Sequence, residues 1–150
     1  MLIIGCGNRQ RGDDAAGILV AERLCTLGIE AETCTGEAAD LLEAWDGADD
    51  VIVVDAVVTG APVGAVQVWD CQQATLSPKT TASSHSLGVA EAIALARVLH
   101  RLPARLRLFG IEGRRFDQAA EVSPEVLRAV DDVVRSIAAE LPAGLKSPRE

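Results

Sequence analysis

Short apolar runs alternate with longer amphipathic ones along this chain, and the alternation lays out its elements. Leu2–Gly5 is a brief apolar run closed by glycine and reads as a buried strand. Ile18, Leu19, Ala21 and Leu24 recur at helical spacing. Ala15–Thr26 therefore reads as a helix, with Asp13 or Asp14 as its cap and Gly28 as its stop. Ile29–Cys34 alternates as a strand does, and Ala38–Trp45 follows as a short helix ended by Gly47. Val51–Val54 is an unbroken β-branched run, the pattern of a strand covered on both faces, and it ends at Asp55. Thr59–Gly64 is a turn cluster and Ala65–Trp69 a further strand. The link between this strand and the Val51 strand is too short for a helical crossover, so an antiparallel relation is expected. Leu76–Ser84 is polar, contains Pro78 and reads as a loop. Ser83 or Ser84 then caps a helix over Leu87–Leu99, and Pro103 breaks it. Arg105–Ile111 alternates as the last strand. Ser123-Pro124-Glu125 opens a helix, with proline at its first position, that runs to about Glu140. Leu141–Glu150 carries two prolines, a glycine and charges, and is expected to be a flexible tail.

The order βαβαββαβα predicts an α/β fold: a three-layer α/β/α sandwich around a mostly parallel five-stranded sheet with one antiparallel strand. Residues 1–140 are expected to form one domain. A chain of 150 residues can bury roughly 68–70% of its unfolded surface, enough for a true core. Its apolar content is mainly Ala, Val, Leu and Ile, with no tyrosine, which suits packed helices and strands better than an all-β fold.

Charge and cysteine content narrow the function classes. The net charge is −8 and no basic block occurs, which argues against nucleic acid or an anionic membrane as partner. No apolar run is long enough to span a bilayer. No basic segment precedes Leu2–Ile4, and that run is too short for a secretory signal. The four cysteines, Cys6, Cys25, Cys34 and Cys71, form no CxxC pair. Four reduced thiols in a cytoplasmic protein are expected.

Ligands of such sheets bind beyond the carboxyl ends of the strands. The topology sends Asn8, Asp13 and Asp14 there from the first strand and Asp55 from the Val51 strand. It adds His85 from the loop before the Leu87 helix and Glu112 from the last strand. An acid directly after Val-Ile-Val-Val is poorly solvated and wants a cation or a donor. Two carboxylates and an imidazole suit a divalent zinc, nickel, iron or manganese ion and leave coordination positions open. The same residues serve equally as structure: an acid caps a helix, Asp55 accepts backbone N–H groups and His85 caps or packs. Both readings stand on the residues alone. A dinucleotide site is disfavoured, because Gly5 and Gly7 are followed only late by Gly12 and no clear acid ends the second strand at Thr33-Cys34.

Neighbouring residues have plainer roles. Asn8 is expected to hold the turn by bonding a loop carbonyl, Asp13 to cap rather than ligate, and Cys6 to be a small buried thiol. His100 beside Arg101 reads as a solvated cation at a helix end. Glu112 either orients His85 or is an ordinary loop acid. Arg114 and Arg115 either meet an acidic stretch of a partner or are solvated.

Four segments taken together resemble the hydrogenase maturation proteases, the endopeptidases that trim the large subunit of nickel-iron hydrogenases. They are Gly5-Cys6-Gly7-Asn8 through Asp13-Asp14 to Gly17, then Val53-Val54-Asp55-Ala56, then Ser84-His85-Ser86-Leu87-Gly88, then Phe109-Gly110-Ile111-Glu112. Thr35-Gly36-Glu37 stands where that family usually has a Gly-Gly-Thr-type turn, and Asp14 where many members have Glu. The resemblance implies a phosphorylase/hydrolase-like sandwich that acts as a monomer on the precursor of a hydrogenase large subunit. It implies that Asp14, Asp55 and His85 bind nickel that the substrate supplies and serve the cleavage. That nickel would either polarise the scissile carbonyl or activate a water, or only license recognition. Two other readings compete: a hydrolase similar to peptidyl-tRNA hydrolase, which the net charge of −8 and the absence of a basic cluster disfavour, and a nickel-sensing binding module that does not cut.

Overall fold

The structure is a computed structural model that describes residues 1–72 and 88–141. The expected loop Leu76–Ser84, its serine cap, Leu87 and the tail from 142 onward lie outside the described residues. The elements follow the expected order: β1 (Leu2–Cys6), α1 (Ala16–Thr26), β2 (Glu32–Cys34), α2 (Ala38–Ala44), β3 (Asp50–Val57), β4 (Val66–Asp70), α3 (Gly88–Val98), β5 (Arg105–Glu112) and α4 (Pro124–Glu140). A 3-10 turn, Gly12–Ala15, leads into α1.

The sheet order is β2-β1-β3-β5-β4. β1 pairs in parallel with β2 and β3, and β3 in parallel with β5. β4 is the antiparallel strand. It runs against the direction of β3, as expected, but pairs with β5, from Val66↔Ile111 to Asp70↔Arg107. The physical reason lies in their sequences. In β5, Leu106, Leu108, Phe109 and Ile111 are all buried, so it needs cover on both sides. In β4 every residue is exposed or half-exposed, which fits an edge.

The two layers of helices follow the strand alternation. Ile3, Ile52, Val54, Phe109 and Ile111 face α1 and α4, where Val126, Val130, Val133 and Ile137 form the buried stripe of α4. Ile4, Cys6, Val51, Val53, Leu106 and Leu108 face α2 and α3, with Trp45 and Ile93. Residues 51–57 of β3 are all buried. Each such Val or Ile side chain contributes about 1.5–3 kcal/mol, so β3 anchors both layers.

Two local differences have clear causes. β2 pairs over Glu32–Cys34 only, because Ile29 is spent on ending α1: its N–H donates to Leu24 O at 2.9 Å and its side chain enters the core. Helix α1 also lies unusually close to the sheet. A Cβ on Gly17 would stand 2.3 Å from Val54 O and 2.4 Å from Cys6 O, and one on Gly5 would stand 2.1 Å from Gly17 O. Only glycine lets helix and strand backbones touch this way.

Candidate active site

The sheet grows from β1 to β2 in one direction and then returns to place β3 on the other side of β1. The carboxyl ends of β1 and β3 therefore flank a topological switch point, where α/β sheets open a crevice. Asp14 follows β1 and Asp55 lies on β3. The β1–β3 ladder stops at Gly5↔Val54, so Asp55 is the first residue of β3 beyond it. On its other side β3 continues to Val57 against β5. The expected strand end at Asp55 is thus an end on the β1 side alone.

Asp55 is buried, and its Oδ1 accepts the Ala56 N–H at 2.9 Å. Burial, and then the charge of Asp14, push its carboxyl well above the usual carboxylate range. The alternation along β3 places Asp55 on the face of Val51 and Val53, toward α2 and α3.

Asp14, also buried, lies inside the 3-10 turn rather than at a helix cap, and the same holds for Asp13. Neither acid caps α1 with its side chain. The Gly7–Asn8 turn fixes the backbone of Asp14. Gly7 has φ 139°, and a Cβ there would meet Asp14 O at 1.9 Å, while Asn8 N–H donates to that oxygen at 3.1 Å. Asn8 holds the turn as expected, but its Oδ1 accepts the Gln10 N–H at 2.9 Å instead of its amide reaching a carbonyl.

Asp13 does something the sequence reading missed. Its Oδ2 accepts the Arg114 and Arg115 N–H groups at 2.7 and 2.9 Å and the Ser123 hydroxyl at 2.9 Å. Its Oδ1 accepts the Ser123 N–H at 2.6 Å, and its own N–H donates to Arg115 O at 2.6 Å. Burial raises the carboxyl, but these backbone and hydroxyl donors outweigh it and hold Asp13 below its ordinary value. Asp13 thus staples the β1–α1 loop to the β5–α4 loop and seats Asp14 beside it. Only an acid next to the ligand candidate hinted at this, since every partner is remote in sequence.

The other candidates separate. Glu112 accepts from Thr59: its N–H at 3.1 and 2.9 Å and its hydroxyl at 2.7 Å. It anchors the loop after β3. Arg114 and Arg115 are exposed; the Arg114 guanidinium lies 3.9 Å from Glu125. His100 is exposed beyond α3, in the left-handed region at φ 55°. His85 lies outside the described residues. Gly88, three residues later in the chain, opens α3 against the loop after β2: a Cβ on it would fall 1.6 Å from Gly36 O. Among the described residues, no three His, Cys, Asp or Glu side chains converge to hold a metal ion. A cavity of about 330 Å³ lined by Met1, Leu2, Cys25 and residues 30–32 lies at the amino end of β1, away from the carboxylates.

Cys6 is a buried thiol as expected, but it has a partner: Cys34, paired with it in the β1–β2 register, with the sulfurs 3.4 Å apart. That contact, then burial and the charge of Asp55, push the Cys6 thiol up. Cys34 is held below its ordinary value by Cys6, against its partial burial, with help from the Gly36 N–H.

The hydrogenase maturation protease family model, HycI, matches residues 35–140. The chain belongs to this family. Among relatives of this hydrogenase maturation protease is the hydrogenase 2 maturation protease of Escherichia coli K12, 26% identical over an alignment covering 100% of this chain and 96% of the relative. The fold matches that of the hydrogenase maturating endopeptidase HybD from E. coli, with TM-score 0.77, 23% identity and 92% and 89% of the two chains covered. It also matches the [NiFe] hydrogenase maturation protease HybD from Thermococcus kodakarensis, with TM-score 0.69, 21% identity and 92% and 96% covered. This chain carries buried carboxylates at its switch point, and among its described residues no helix is long and apolar enough to cross a membrane.

Proposed function

We propose that this maturation protease is a cytoplasmic, monomeric endopeptidase that removes a C-terminal peptide from the nickel-loaded precursor of a nickel-iron hydrogenase large subunit. In this reading Asp14, Asp55 and His85 complete the coordination of the substrate's nickel from the protease side. One observation carries it: two acids are buried at the switch point, where burial and the charge of Asp14 push the Asp55 carboxyl up and a cation relieves that penalty. Carboxylate and imidazole donors suit a divalent ion of this kind. Metal held by the substrate supplies a Lewis acid near the scissile carbonyl. The chain's own residues bind and orient it: the Asp13 staple and the Gly7–Asn8 turn hold Asp14, and the rigid β3 backbone holds Asp55.

The test is processing in vitro of a nickel-loaded large-subunit precursor, read as a nickel-dependent mass loss. Asp14→Ala, Asp55→Ala and His85→Ala are each expected to stop cleavage with unchanged circular dichroism. Unchanged processing in any of them removes that residue from the site. Capture of the precursor without cleavage by the unaltered protein would favour a binding module instead. The isolated protease is expected to bind nickel weakly, since three ligands alone leave its coordination incomplete.

A further inference from the structure

The strand register brings Cys6 and Cys34 side by side at the carboxyl ends of β1 and β2. Neighbouring strands lie about 4.8 Å apart, inside the roughly 4.4–6.8 Å window that a disulfide requires between Cα atoms. The two sulfurs, 3.4 Å apart, are both free thiols. A bond needs them at about 2.05 Å, so oxidation draws the two sulfurs together. The pair is also asymmetric. Cys6 has no exposed surface, while Cys34 is half-buried and open to small reagents. The other two cysteines lack such a neighbour: the Cys25 sulfur donates to Ala31 O at 3.5 Å and the Cys71 sulfur to Trp69 O at 3.8 Å.

We propose that Cys6 and Cys34 form a reversibly oxidisable dithiol, a modification site that takes small disulfides such as oxidised glutathione as its reactant. The thiolate of Cys34 attacks one sulfur of the small disulfide, whose S–S bond breaks and releases one thiolate, which takes up a proton. Cys6 then loses its proton, attacks the Cys34 sulfur and expels the second small thiol. The protein dithiol is oxidised to a disulfide, and one small disulfide is reduced to two thiols. The buried member is the resolving cysteine because a bulky reagent cannot reach it.

The cross-link would join the turn that fixes Asp14 to the loop on which α3 starts. Gly7 N–H already donates to Cys34 O at 3.1 Å, and a Cβ on Gly36 would stand 3.6 Å from the Cys6 Cβ. Oxidation therefore sets the position of residues 35–37 against β1. This inference does not depend on which substrate is cut.

The reduced full-length protein is incubated with mixtures of oxidised and reduced glutathione, trapped with N-ethylmaleimide and mapped by mass spectrometry without reduction. The expected product is a peptide pair joined through Cys6 and Cys34, lacking two hydrogens and reversed by dithiothreitol. Cys6→Ser is expected to leave Cys34 as a stable glutathione adduct, whereas Cys34→Ser leaves Cys6 unmodified. Exposed Cys25 reports that the oxidant is active. The proposal is overturned by Cys6 and Cys34 both remaining thiols where Cys25 is fully modified, or by Cys34 carrying glutathione beside a free Cys6.

Discussion

Replacing Asp13 by Asn tests how the candidate site is held. The carboxylate receives four hydrogen bonds from Arg114, Arg115 and Ser123 at 2.6–2.9 Å, in a position with no exposed surface. Asparagine keeps the shape but only one acceptor oxygen. If that oxygen takes the place of Oδ2, the amide nitrogen faces the Ser123 N–H, donor against donor. One charge-assisted bond of about 1.5–3 kcal/mol is lost, and the others fall to neutral strength, nearer 1 kcal/mol each. Relief from burying a charge returns part of this. The net cost is about 3 kcal/mol, which at roughly 2–4 °C per kcal/mol for a chain of this size lowers Tm by about 6–12 °C. The sign with pH follows from the depressed carboxyl. The advantage of the unaltered protein is present above the unfolded value near 3.9 and is lost as pH falls through the lower folded value. Thermal melts at pH 7 and urea titrations at pH 7 and pH 3 measure both. A Tm within about 2 °C of the unaltered protein at pH 7, or a difference that grows on acidification, would refute the reasoning.

Asp55→Asn is expected to do the opposite to stability. Because the folded state raises the Asp55 carboxyl, its contribution is present below about pH 3.9 and is lost as pH rises through the folded value. The amide variant therefore melts a few degrees higher than the unaltered protein at pH 8, with the gap closing toward pH 4 and processing lost; a lower Tm at pH 8 would contradict this. Gly17→Ala is expected to cost about 3 kcal/mol, at the upper end for overpacking, because the new Cβ would press on Val54 O and Cys6 O. Gly47→Ala meets nothing within 4 Å and costs only the strain of its φ of 78°, about 1 kcal/mol. Equal melting temperatures for the two variants would show that the close approach of α1 carries no weight.

Much of the fold was legible because it depends on local signals. The Val51–Val54 run, the helical spacing of Ile18 to Leu24 and Pro124 at a helix start each act over a few residues. The pairing of β4 was not legible from the short link to β3, since sheet order is decided by which strand needs cover on both edges. The two acids of the switch point were legible as strand-end residues in a parallel sheet. The roles of their neighbours were not. Asp13 looked like a cap because a cap is the local option, whereas its partners lie 101 to 110 residues away. Nothing near Glu112 in the sequence pointed to Thr59, 53 residues earlier, which donates to both its oxygens. The contact of Cys6 with Cys34 depends on strand register, which neither segment encodes alone.

The Asp13 staple also imposes an order of events on the chain as it is made. Asp13 leaves the ribosome early, and its last partner, Ser123, only after 110 further residues have been added. Sheet strands β1 to β3 can pair before then, but the loop that carries Asp14 has nothing to close against. The carboxylate pair at the switch point is therefore among the last features to take its final form. A nascent chain stalled before Arg114 can pair its earlier strands while the loop bearing Asp14 is still unfastened.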